Sequence, residues 1–135
     1  MSKYLDRAKE IRAMTAPVYN CGQTVVLSFA EEAGISEETA AAICANFGGG
    51  LRRGAACCAI TGGLIVLGLF GIDSPAAVGA YYRALRDSHD GKLDCADLLR
   101  RSKELGVDKT SHCNALIFEC VTLVEQVLRE QGKIR

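Results

Sequence analysis

Between Ala55 and Ile72 the chain carries no charged residue. The segment reads AACCAITGGLIVLGLFGI, apolar enough to be hidden and rich in glycine. About 18 helical residues span ~27 Å, just short of a hydrocarbon core of ~30 Å. Many of these residues are Gly, Ala, Cys or Thr, which gain little from lipid. The other helix signals in the chain all have one charged side. The segment is therefore read as a central helix over about residues 56–71, buried by its neighbours, with Gly62, Gly63, Gly68 and Gly71 admitting close packing. A phosphate loop at "GGGLRRGAAC" is excluded, because it lacks the Lys-Ser/Thr ending and no strand precedes it. Gly48–Gly50 read as the stop of one helix and a tight turn.

The rest of the chain places helix starts and stops around this segment. Tyr4, Leu5, Ala8 and Ile11 form one side of a helix over 3–15, ended by Pro17. Asn20 caps a helix that stops at Gly34. Ser36 caps a third, with Glu37 and Glu38 in its first turn, reaching Phe47. Ser74–Pro75 open a fifth helix to about 88. Asp94 caps a sixth that ends near Gly106. The last starts at Thr110 or Ser111, and Cys113, Leu116, Ile117, Cys120, Leu123, Val124 and Val127 follow three-four spacing along it. No strand is predicted. The reading is an all-α, single-domain bundle of about seven helices spanning 1–135, with residues 1–17 as an N-terminal helix.

Acidic and basic residues balance at 16 each, which leaves no field to attract nucleic acid or an anionic membrane. The opening "MSKYLDRAKEIRAM" is charged and has no apolar signal core, so a cytoplasmic protein without a membrane span is expected. Seven cysteines are many for this length, and an odd number argues against a fully paired framework. In a reducing compartment they are free, metal-bound or catalytic.

Their positions are informative. Cys21 follows the Asn20 cap, Cys57 and Cys58 open the Gly/Cys-rich helix, Cys95 follows Asp94, and Cys113 falls in the first turn of the last helix. Unpaired N–H groups at helix starts make the local potential positive and favour thiolate. With Arg52 and Arg53 nearby, such starts aimed at one point would offset the repulsion among thiolates. Cys44 and Cys120 lie deep in helices on apolar faces and read as core.

The ordered set "YNCGQTVVLSFAEEAG", "FGGG", "CCAITGGLIVLGL", "DCADLL" and Cys113 resembles a family of redox-active proteins. That family is named for a Cys, a Gly-Cys-Ala-x-x-Gly or Cys-Gly-Ala-x-x-Gly box, and two further Cys. The resemblance covers about residues 18–128. It implies redox chemistry at Cys21, one of Cys57 or Cys58, Cys95 and Cys113. This chain departs from the pattern by carrying cysteine at both positions before "AITG", and Cys120 shares a face with Cys113 as its alternative.

Four dispersed thiolates suit an iron–sulfur cluster used for electron transfer, held by Cys21, Cys58 (or Cys57), Cys95 and Cys113. Thiol–disulfide exchange needs only two neighbouring thiols, such as Cys21 and Cys58. A non-catalytic module that binds a soft metal such as zinc, or a partner, is the third reading; paired C-x-x-C knuckles are missing. Adjacent Cys57 and Cys58 are unsuited to bond to each other. His89, in "DSHDGK", reads as an exposed turn, and His112 as a weak candidate beside Cys113. No nucleophile–base–acid set for hydrolysis is present. The redox partner is unspecified, and the apolar first helix or a Gly-rich face leaves room for a homodimer.

Overall fold

The computed structural model describes residues 2–135. Among these the chain is all-helical, with α1 (Lys3–Ala13), α2 (Cys21–Ala33), α3 (Glu37–Ile43), α4 (Cys58–Leu69), α5 (Pro75–Ser88), α6 (Cys95–Glu104) and α7 (Lys109–Glu130). A five-residue wide turn, Gly50–Gly54, adds an eighth helical segment to the seven expected. No helix among the described residues is long and apolar enough to cross a membrane.

Local chemistry sets most of the boundaries. Ser2, Asn20, Ser36, Ser74 and Asp108 each accept an N–H from the third residue on, satisfying donors that a helix start leaves free. Asn20 and Gln23 complete both halves of a capping box. Gly34 takes the left-handed conformation that ends α2. Several ends differ from the sequence reading: α1 stops at Ala13 and not at 15, and α4 runs Cys58–Leu69 and not 56–71. Helix α3 stops at Ile43 instead of Phe47, because Cys44 leaves helical geometry and its carbonyl accepts the Asn20 amide at 2.9 Å. Cys44 is thus buried at a helix end and not deep within one. Helix α7 begins at Lys109 under the Asp108 cap, so Cys113 is its fifth residue and lies past the first turn.

The core is built by α2 against α4 and α7, with α1 and α3 flanking α2. Val25, Val26, Phe29, Val66, Leu67, Ile117 and Val124 are sealed within it. Helix α4 is apolar on all sides. It is buried over Cys58–Ile60, Gly62, Gly63, Val66 and Leu67, yet Gly68 and Leu69 are exposed and Leu64 and Ile65 half-buried. Its burial is thus concentrated where it meets α2 and α7, and its far end reaches the surface.

Helices α2 and α4 meet glycine on glycine. A Cβ on Gly62 would stand 2.9 Å from the Gly22 carbonyl oxygen and 3.0 Å from the Gly22 Cα, closer than real Cβ contacts. The next residue, Gly63, leaves room for the Tyr81 hydroxyl, which donates to the Ile60 carbonyl at 3.0 Å. The chain entering α4 also pairs with the chain entering α6 through an isolated antiparallel bridge, Ala56 to Asp94. Cys57 N–H donates to the Leu93 carbonyl at 3.0 Å and Cys95 N–H to the Ala55 carbonyl at 2.7 Å.

His89 departs from its sequence reading, and Glu125 is an acidic residue turned into the bundle. His89 is half-buried, with its Nε2 2.7 Å from Glu119 Oε1. Glu125 faces inward, where Ser2 Oγ donates to it and Arg129 pairs with it at 2.7 Å.

Candidate functional site

Three helices begin on a cysteine or directly after one. Cys21 is the first residue of α2, Cys58 is the first of α4 with Cys57 as its N-cap residue, and Cys95 is the first of α6. The glycine contact between α2 and α4 draws the first two starts together. The Ala56–Asp94 bridge ties the third to the second. Helix α7 crosses the same end of the bundle and supplies Cys113.

These starts surround a cavity of about 220 Å³. Its wall contains Cys21, Cys57, Cys58, Cys95 and Cys113, five of the seven cysteines. Asn20, the Gly48–Gly50 backbone, Leu98, Leu99 and Leu116 close much of the remainder. No carboxylate lines it. Cys44 and Cys120 are fully buried and outside the wall, so Cys113, not Cys120, is the α7 cysteine at this cavity.

Cations reach the cavity from unexpected places. Arg52 and Arg53 are exposed, and Arg52 turns to the Asn46 side chain at 2.9 Å. Arg12 of α1 and Lys109 of α7 line the cavity instead. Arg12 is fixed by Asn114 Oδ1 at 2.7 Å and by the Tyr19 carbonyl at 3.2 Å. Nothing local in the α1 sequence marks Arg12, since its partners come from α7 and the α1–α2 loop. His112 also lines the wall, and burial, then the charge of His89, lower its basicity.

The sulfurs divide into two overlapping groups. Cys58 Sγ accepts the Gly22 N–H at 2.7 Å and lies 3.5 Å from Asn20 Oδ1. Cys21 lies close enough to both Cys113 and Cys58 for the three thiols to affect one another's ionisation. Cys57 lies within electrostatic reach of Cys95 and Cys113, and its sulfur makes no capping hydrogen bond to the start of α4.

Thiol acidity runs opposite to the expectation from helix starts. The neighbouring Cys113 thiol draws Cys21 down, but the Cys58 thiol, burial and the nearby charges of Cys58 and Cys57 outweigh it and push it up to about 12. Burial pushes Cys57 up to about 11, although the backbone dipoles of Ile60 and Ala59 hold it back in part. Cys113 is raised by the neighbouring Cys21 thiol, by burial and by the Cys21 charge, with Arg12 and Lys109 opposing. Cys95 is raised by burial and then by Cys113. Desolvation and mutual repulsion therefore exceed the pull of the helix starts.

The possible ligands in the wall are five thiols and the His112 imidazole, and the Gly22 N–H supports the Cys58 sulfur. Both features fit a soft metal or an iron–sulfur cluster. As the protonated side chains stand, no group of three or more His, Cys, Asp or Glu among the described residues forms a metal cage.

No curated protein and no solved structure shows significant similarity to this chain. A sequence model of the family described as "Putative redox-active protein (C_GCAxxG_C_C)" matches residues 19–127. That match covers most of the chain, including all seven cysteines, and the chain belongs to this family.

Proposed function

We propose that this chain is an electron-transfer protein whose cavity holds an iron–sulfur cluster on Cys21, Cys95, Cys113 and one of Cys57 and Cys58. One observation carries the reading: thiols from four segments far apart in sequence line a single cavity free of carboxylates. Such a cluster supplies one-electron chemistry when bound. The protein's share is to gather the sulfurs, exclude water with Leu98, Leu99 and Leu116, and donate the Gly22 N–H to the Cys58 sulfur. The lowered thiol acidities favour this reading over thiol chemistry. A protonated thiol is a poor nucleophile, whereas ligation replaces its proton and relieves the repulsion among neighbours.

A second reading draws on the Cys21 contacts with Cys113 and Cys58, since a disulfide needs such proximity. There, two thiols lose two protons and two electrons to a small disulfide, which is reduced to two thiols as one S–S bond forms in the protein. The test is anaerobic reconstitution with ferrous iron and sulfide. A brown protein with matching iron and sulfide supports the cluster. A colourless protein whose thiol count falls reversibly with oxidised glutathione supports exchange. A colourless protein holding zinc tightly, with no thiol response, refutes both and leaves a soft-metal binding module.

A further inference from the structure

Five sulfurs line the cavity where four would complete the proposed centre. We infer that Cys57 and Cys58 are interchangeable ligands, so that either completes a four-sulfur set with Cys21, Cys95 and Cys113. The inference rests on the cluster reading above and adds to it.

The two residues are consecutive yet sit on opposite sides of a helix boundary. Cys57 is the extended N-cap residue, with φ −58° and ψ 128°, and Cys58 is the first helical residue. The change of backbone conformation between them lets both sulfurs reach the same cavity. Cys58 Sγ turns to the α2 side, where the Gly22 N–H meets it at 2.7 Å. Cys57 lies within electrostatic reach of Cys95 and Cys113, on the α6–α7 side of the cavity, and its sulfur makes no capping hydrogen bond. Both sulfurs thus have cavity access, and Cys58 in addition holds a backbone donor that supports a thiolate. Both backbones are held independently of the sulfurs, Cys57 by the Leu93 carbonyl and Cys58 by α4 itself. The other three cysteines have no stand-in, because Cys44 and Cys120 lie outside the wall.

The test compares wild type with C57A, C58A, the C57A/C58A double variant and C21A. Each is reconstituted anaerobically with ferrous iron and sulfide and read by iron per chain, visible absorption and far-ultraviolet circular dichroism. Both single variants should keep the wild-type iron content, with visible bands displaced from each other because the Gly22 N–H supports Cys58 only. The double variant and C21A should fall to background iron while remaining helical. One single variant at background with its helicity intact overturns the inference and names the sole ligand. A double variant that keeps its iron also overturns it. Where an alanine variant loses helicity, the serine variant at that position takes its place. A wild type that takes up no iron removes the cluster reading, and this inference with it; loss confined to one single variant leaves that reading standing.

Discussion

Replacing Gly50 by alanine separates two costs that glycine removes at this site. Gly49 and Gly50 both have left-handed backbone, with φ of +66° and +67°. A Cβ on Gly49 would meet nothing within 4 Å. A Cβ on Gly50 would stand 2.4 Å from the Ala55 carbonyl oxygen, 2.6 Å from Cys95 Cβ and 2.8 Å from the Ala55 nitrogen. Two of those three atoms are backbone, and Ala55 is fixed by the 2.7 Å bond from Cys95 N–H. Gly49→Ala therefore pays only the left-handed conformation, about 1–2 kcal/mol. Gly50→Ala adds overpacking of about 1–3 kcal/mol. With a urea slope of about 2 kcal/mol/M, the two midpoints should differ by roughly 0.5–1.5 M. The displacement falls on Cys95, so Gly50→Ala should also speed alkylation of Cys95 in the native protein, read by mass spectrometry of the labelled peptides. Gly49→Ala should leave that rate unchanged. Equal unfolding midpoints for the two variants would refute the argument, because the cost would then be conformational alone.

Three further outcomes follow from the hydrogen bonds and thiol acidities. Asn20→Ala removes a capping box and the bond to the Cys44 carbonyl, and should lower stability by about 0.5–2 kcal/mol in urea unfolding. Tyr81→Phe loses the hydroxyl that fills the space over Gly63, at about 0.5–1.5 kcal/mol, and should leave iron uptake intact because Tyr81 is not in the cavity wall. The metal-free protein should weaken in alkali. Cys57 stands at about 11 in the folded chain against an ordinary value of 9.0, so the unfolded thiol ionises first. Its contribution is fully present below pH 9.0 and is lost as pH rises toward 11, at up to ~1.4 kcal/mol per pH unit. Urea midpoints measured across that window should fall, and Cys57→Ser should flatten the slope.

What could be read in the sequence was local. Asn20, Gly34, Ser36 and Ser74–Pro75 act on N–H groups or φ angles within a few residues, and the helices start and stop as those residues dictate. The cysteines at helix starts were legible for the same reason, as each adjoins a cap or a glycine turn. What escaped depends on distant partners. Arg12 reaches the cavity because Asn114 holds it, 102 residues away. The Ala56–Asp94 bridge has no periodic signal, since one paired residue on each side makes no strand pattern. The sign of the thiol shifts was misread because the helix-start field is local, whereas burial and neighbouring sulfurs are tertiary. Arg52 and Arg53 are near Cys57 in sequence, yet Leu51 and Arg52 take left-handed backbone, and Arg52 turns away toward Asn46.

The cavity depends on backbone contacts more than on any one sulfur. Ordinary helix pairs pack with axes ~8–10 Å apart, set by the side chains between them. At Gly22 and Gly62 no side chain intervenes, and a Cβ on Gly22 would stand 2.9 Å from the Cys58 carbonyl oxygen and 3.2 Å from its Sγ. The same Gly22 supplies the N–H that Cys58 Sγ accepts. One residue therefore sets the separation of Cys21 and Cys58 and also orients a sulfur. Alanine at Gly22 keeps the N–H but moves it, so it tests position apart from chemistry. Because Cys57 is held by the separate bridge to α6, Gly22→Ala should disturb the Cys21–Cys58 contact first and leave Cys57 with Cys95. In native alkylation Cys58 should then become more reactive relative to Cys57. An unchanged ratio between the two would mean that the glycine contact does not position the α4 sulfurs.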